Sequence, residues 1–359
     1  MILLISFCLY LFFLLTLTIS LSLSVTKIGF RNAANLTLSS VFILIAAILI
    51  LKSPIVLDSD LYRYNIYFMY IKNISFSLEN DVGFYFLTRG ISYLTNEFWV
   101  YHLSILTLQY IFIYMACRNI DLGLAKYALF ILLVTTPFFY SFQTNIVRSG
   151  LATCISLYAI SLLLIGKNNK FFLFSILAIS VHVSSLLMLV FFILPKYFEK
   201  TLNLKVLLNT WLFLTFLSVF NFFPLEFMKV YLSGVDRVSG YFVDGGVRLD
   251  NITTGFKIQF FVFTCAPLIL ITILFGRNYL EDIFVKYYLI VTIVYTLFSF
   301  MPYSDRIIYF GWCIYPILIL RVSNIVNETK SYIFVVLYIV IINSIYFISL
   351  TKATMRGLS

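Results

Sequence analysis

A chain of 359 residues that is 62% hydrophobic and only 11% charged, with a mean hydropathy of +1.01, cannot be a soluble globular protein, because so few charges cannot cover so much apolar surface. The formal net charge is +10, but the Lys and Arg residues fall mostly in short connections between apolar runs, where they set membrane orientation. Nucleic acid is therefore not an expected partner, and membrane lipid headgroups or a diphosphate fit this charge better.

The expected fold class is all-α: a single polytopic transmembrane domain over residues 1–359. The apolar runs predict about 10–11 spans, at about 2–24, 36–51, 99–117, 124–140, 146–165, 205–223, 257–275, 284–301, 306–321 and 331–350. The first run lacks a basic region ahead of it and reads as a span, not a cleaved signal. Two longer polar loops are expected at about 52–98 and 224–256. The later part of the first is amphipathic and suits the membrane interface. The second combines Gly234, Gly240, Gly245 and Gly246 with Tyr231 and Tyr241.

The segment 170–195 is ambiguous. Its length allows one span, yet Ser180-Val-His182-Val-Ser184-Ser185 puts a polar cluster at its middle. It reads either as one crossing or as two half-helices that dip in and return; such a break is tolerated only where protein or a wet cavity surrounds it. The re-entrant arrangement, with the N-terminus outside, gathers Lys27, Arg31, Arg118, Lys126, Lys167 and Lys170 inside and puts both long loops outside. Lys352 and Arg356 then fall outside, against the rule.

Five cysteines (Cys8, Cys117, Cys154, Cys265, Cys313) lie in or beside apolar runs without paired spacing, so they read as small buried hydrophobes. With only His102 and His182 as histidines, no metal site is expected. His102, beside Trp99 and Tyr101, reads as an interfacial anchor. No nucleotide-binding motif and no cofactor are expected.

Four constellations carry polar chemistry. Asp58-Ser-Asp60-Leu-Tyr62-Arg63-Tyr64 places two carboxylates, an Arg and a Tyr at a membrane surface, where a carboxylate suits a general base or a hydrogen-bond partner for a sugar hydroxyl. A capped loop start gives the same spacing. Arg148, in Asn145-Ile-Val-Arg148-Ser-Gly150, sits at the start of an apolar run, where its cost demands a partner, a cavity or a headgroup. A guanidinium beside a helix N-terminus suits phosphate. His182 with Ser184 and Ser185 suits a phosphate oxygen or a proton relay, or plain packing. Tyr303-Ser304-Asp305-Arg306-Ile-Ile-Tyr309 repeats the Arg-at-helix-start pattern, with Ser304 or Asp305 as cap.

In this order the four motifs, with the basic turn Lys167–Lys170, resemble the EpsG-like, Wzy-type polysaccharide polymerases over about residues 50–320. One departure is Glu79-Asn-Asp81-Val-Gly83, where a shorter acidic-Gly-aromatic motif is expected. The resemblance implies an O-antigen or exopolysaccharide polymerase of the bacterial inner membrane, a metal-independent glycosyltransferase that uses no cofactor. Its partners would be undecaprenyl-diphosphate-linked glycans, with a chain-length regulator and a flippase of the same pathway. Asp58, Asp60 and His182 are the expected catalytic residues. Arg63, Tyr64, Arg148, Arg306 and Tyr309 are the expected diphosphate and sugar contacts. The rivals are a transporter or flippase for lipid-linked oligosaccharide, and an O-antigen ligase.

Overall fold

The computed structural model describes residues 60–77, 81–120, 126–134, 136–199, 201–227, 231, 255–275, 281–301, 304–318 and 320. The spans expected at 2–24, 36–51 and 331–350, and nearly all of the 224–256 loop, lie outside them. Among the described residues every regular element is a helix. They are α1 (Asp60–Tyr70), α2 (Val82–Leu94), α3 (Phe98–Asn119), α4 (Lys126–Val134), α5 (Pro137–Thr144), α6 (Val147–Leu164), α7 (Asn168–Val181), α8 (Ser185–Tyr197), α9 (Leu204–Val219), α10 (Ile258–Phe275), α11 (Ile283–Phe298) and α12 (Asp305–Trp312). The chain divides into two units, with the boundary inside α8, between Leu189 and Val190.

In the first unit α6 is the axis. It is apolar on all sides and buried almost throughout, because α3 and α7 pack along it and α5 crosses its start. Helices α3 and α6 have the length and apolarity to cross a membrane; at a rise of about 1.5 Å per residue each reaches roughly 27–33 Å. Helix α6 ends in a Schellman turn: Lys167 N donates to Leu162 O (2.9 Å) and Gly166 N to Leu163 O (3.2 Å). Gly166 takes φ +74° there, a conformation that needs glycine.

The run expected as one span at 124–140 is interrupted. Helix α4 stops at Val134, and α5 restarts with Pro137 at its head, its N-cap Thr136 Oγ1 accepting from Phe139 N at 3.2 Å. A second break, at Asn145 and Ile146, precedes α6. Breaks leave carbonyls without helical partners, which is costly away from water. At the second break polar side chains of α3 meet such carbonyls: Gln109 Nε2 donates to Phe142 O (3.1 Å), and also to Val147 O in the first turn of α6 (3.3 Å), and His102 Nε2 bonds Gln143 O at 2.9 Å. His102 is buried and stacked on Phe98, so it is a helix-to-helix bond and not the interfacial anchor its neighbours suggested.

The segment 60–98, expected as part of a loop, forms α1 and α2. Phe84, Tyr85, Thr88 and Ser92 line one face of α2 and are buried; Phe86, Tyr93 and Leu94 stay exposed. Phe84 joins Leu61, Phe68, Tyr101, Val147, Leu151, Ala178 and Val181 in one apolar core, which ties α1 and α2 to α3, α6 and α7. The segment 170–195 is two helices, interrupted at His182–Ser184 where the polar cluster falls.

In the second unit α11 is the buried helix, with α9 and α12 against it. Tyr287 Oη donates to Phe310 O at 2.8 Å, and Tyr288 Oη to Thr264 O at 3.1 Å. Lys286 is buried at one end of α11, with Nζ 3.1 Å from Glu281 Oε2. Helix α9 ends on Asn221 at φ +57°, in the same turn geometry as α6. Ser304, expected as a cap for Arg306, occupies the N-cap position of α12 but makes no side-chain capping bond, because its backbone is already helical.

Gly83 and Gly150 mark close helix approaches in the first unit. A Cβ on Gly150 would lie 2.8 Å from Phe142 Cα, while Gly90 has open space around it. Gly150→Ala is expected to lower the melting temperature of the detergent-purified protein, through a clash worth about 1–3 kcal/mol. Gly90→Ala is expected to raise it slightly, since alanine is favoured over glycine in a helix by about 0.5–1 kcal/mol.

Candidate functional site

Helix α6 begins at Val147, so Arg148 stands in its first turn, where backbone N–H groups lack helical partners. Gly150 lets the backbone of α5 cross close above it and fixes where that turn sits. At the start of α2 a Cβ on Gly83 would lie 2.9 Å from Ser180 C and 3.0 Å from Val181 N. Only glycine permits this approach, and it brings Asp81, two residues earlier, against the end of α7.

There Asp81 becomes a hub. Its Oδ2 receives Arg148 Nε at 2.9 Å and His182 Nδ1 at 2.9 Å, with the Val183 backbone nearby. Its side chain is only 10% exposed, against 42% for Arg148 and 21% for His182. Burial raises the carboxyl pKa, but the His182 hydrogen bond and the Arg148 charge outweigh it, and the pKa is lowered from its ordinary value. Asp81 is thus a carboxylate, which only accepts; His182 Nδ1 must therefore donate. Neutral His182 is left with its lone pair on Nε2.

His182 ends α7 in extended backbone. Its carbonyl accepts from Ser185 N (3.1 Å) and Ser185 Oγ (2.8 Å), which starts α8. Ser184 Oγ is shielded from solvent and has no hydrogen-bond partner among the described residues. Arg148 Nη1 and Nη2, and His182 Nε2, likewise make no bond among the described residues. The arrangement thus holds two cation-forming groups by their inner nitrogens and leaves the outer nitrogens partly exposed. That geometry suits an anion with several oxygens, or a proton transfer at Nε2.

Helix α1 closes one side. Tyr64 Oη accepts a long bond from Arg148 N at 3.4 Å, and its ring meets Phe84 edge-on at 6.0 Å. Tyr67 stacks on Phe84 at 6.2 Å; burial raises its phenol pKa despite the nearby Arg148 charge. Asp60 opens α1 one turn before Tyr64. Its Oδ1 lies 4.0 Å from Arg63 Nη1, with both side chains well exposed, which makes a weak surface pair. Asp58 and Glu79 lie outside the described residues. Arg306 and Tyr309 are on α12 of the second unit; Arg306 is exposed, and the Tyr309 ring lies 5.9 Å from that of Trp312.

The structure therefore joins Tyr64, Arg148 and His182, three of the residues singled out in the sequence, and adds Asp81 as the common partner of Arg148 and His182. The signal for Asp81 is Asp-Val-Gly83-Phe: an acid ahead of a glycine and an aromatic, in which the glycine marks a backbone contact.

Breaks satisfied by buried polar groups, lipid-length apolar helices and a partly open ionic centre define the class: an all-helical membrane protein with a polar site. The EpsG family model matches residues 35–357, and the chain belongs to the EpsG family. That membership indicates a role of the polysaccharide-polymerase kind, with glycosyltransferase-like chemistry. No curated protein and no solved structure matches the chain.

The Asp81 linkage has a definite sign. Its folded pKa is below the unfolded value, so its contribution to stability is full above about pH 4, the ordinary aspartate value. It is lost as pH falls from there through the folded pKa. Thermal melts of the wild type are expected to lose more stability on acidification below that point than melts of Asp81→Asn, which has no such carboxylate to protonate.

Proposed function

We propose that the protein is a multi-pass enzyme of a bacterial inner membrane that polymerises O-antigen or exopolysaccharide repeat units carried on undecaprenyl diphosphate. The observation that supports this best is the Asp81 centre, which sets the free end of Arg148, a diphosphate ligand, beside the open Nε2 of His182, a proton acceptor.

In this reading a hydroxyl oxygen of the acceptor unit attacks the anomeric carbon of the donor chain. The carbon–oxygen bond to the diphosphate breaks, and the electron pair leaves with undecaprenyl diphosphate. His182 Nε2 takes the hydroxyl proton, and Asp81 stabilises the imidazolium that results. Arg148 meets the charge that develops on the departing diphosphate, where a fixed donor is worth most. Asp58, Asp60 and Arg63, around the start of α1, orient the acceptor sugar, and Tyr64 fixes α1 to the head of α6. Arg306 and Tyr309 are proposed phosphate and sugar contacts on the second unit. No metal or nucleotide enters the reaction.

The test uses a strain lacking the protein, complemented with variants, and surface glycan resolved as a ladder. Asp81→Asn and Arg148→Ala are expected to leave single repeat units on the outer-face carrier, with turnover reduced about 10²–10³-fold, as for loss of one preorganised donor. A full ladder from both variants overturns the proposal. Repeat units trapped inside the deletion strain would instead mean export, the transporter reading. Long chains left unattached would mean the ligase.

A further inference from the structure

Along α2 the residues at four-residue spacing from Asp81 are Tyr85, Arg89 and Tyr93. Residues so spaced share one face of a helix. The Tyr85 hydroxyl donates to Ile74 O at 2.9 Å and accepts from Arg89 Nη1, which pins the chain after α1 onto this face. Arg89 Nε also donates to Tyr93 Oη at 3.3 Å. From the α1 side, Lys72 Nζ donates to Asn96 Oδ1 at 3.0 Å and lies 5.9 Å from the centre of the Tyr93 ring. Tyr93 thus holds two cations, one on its hydroxyl and one over its ring.

Neither cation lies within 4.0 Å of a carboxylate among the described residues. Aromatic rings and an amide fix their positions without neutralising them, so among the described residues the pair presents a double positive charge at the surface with no carboxylate against it. Around it the surface is apolar: Phe86, Tyr93, Leu94, Tyr70 and Phe76 are all exposed. Cations alone would suit any anion. Cations rimmed by exposed apolar residues suit an anionic headgroup whose ester chain runs into hydrocarbon.

Arg89 lies eight residues along α2 from Asp81 and Tyr93 twelve, or roughly 12–18 Å at the helical rise. A reaction that joins two lipid-linked units must hold two diphosphates. The acceptor's reacting sugar belongs at the Asp81 centre, so its own diphosphate must sit one short oligosaccharide away. We infer that Lys72 and Arg89 form a second lipid-phosphate site, which binds the diphosphate of the acceptor while its repeat unit lies along α2 toward Arg148 and His182. This inference rests on the glycosyl-transfer reading above.

The experiment is native mass spectrometry of the full-length protein released from detergent, with undecaprenyl diphosphate as probe and phosphatidylglycerol as competitor. The wild type is expected to bind two copies of the probe. Lys72→Gln with Arg89→Gln is expected to bind one tightly and the second roughly thirtyfold more weakly, the effect of two surface charges. Lys72→Arg with Arg89→Lys, which keeps both charges, is expected to hold the second copy better than the Gln pair; equal loss from the two pairs overturns the assignment to charge. Undiminished binding of two copies by the Gln pair overturns the site. Displacement of the second copy by equimolar phosphatidylglycerol overturns the assignment to the acceptor, since the site would then be one for ordinary lipid headgroups. A wild type that binds a single copy, retained by the Gln pair, defeats the second site alone. A wild type that binds none defeats the glycosyl-transfer reading with it.

Discussion

A carboxylate that is nine-tenths shielded from water is stable as an anion only if its lone pairs are met by donors. Asp81 meets that condition with two: the Arg148 guanidinium and the His182 ring. The bonds constrain in both directions. Arg148 and His182 belong to different helices, and neither has another side-chain bond among the described residues to set its direction. Removal of Asp81 would leave two donors without an acceptor beside an apolar core. The positions of α2, of the head of α6 and of the break after α7 therefore depend on one another through a single oxygen atom.

The helices around that oxygen are shaped to allow it. Gly83 and Gly150 remove the side chains that would hold α2 off α7 and α5 off α6. The interruptions near Thr136, Asn145 and His182 turn the chain inside an apolar unit, and Gln109 and His102 bond carbonyls exposed beside the second of them. A continuous helix would bury every backbone group more simply. The broken one costs extra polar partners, but it presents the first turn of a helix, with its positive end, beside an Arg and a His. That trade is expected where a membrane protein must handle a charged ligand.

Much of this was legible in the sequence, and the reasons differ by residue. Apolar runs bounded by charge or Asn located α3, α6, α9, α10 and α11 to within a few residues, because hydrophobic length is set by the bilayer. Arg148 and His182 stood out because a cationic or titratable group in an apolar run needs a reason. The interruption before Pro137 is hidden in the sequence, since Thr136-Pro137 lies within an apolar stretch long enough for a span, which outweighs its helix-start signal. Asp81 looked like any acid in a polar loop; its partner His182 is 101 residues away, and no local pattern encodes such a contact except the glycine that permits it. Asp60 and Arg63 looked like a site because they are neighbours in sequence. In the fold they form an exposed pair, and their proposed role depends on the acceptor.

The chain has only two histidines, so ¹⁵N-histidine NMR of the purified protein reads the central contact directly. Whenever its ring is neutral, His182, bonded to the Asp81 carboxylate through Nδ1, is expected as the Nδ1–H tautomer, and His102, bonded to Gln143 O through Nε2, as the Nε2–H tautomer. Asp81→Asn should release the His182 signal to a mixture of tautomers and leave His102 unchanged. A His182 signal that already averages between tautomers in the wild type, and does not respond to Asp81→Asn, would contradict the account.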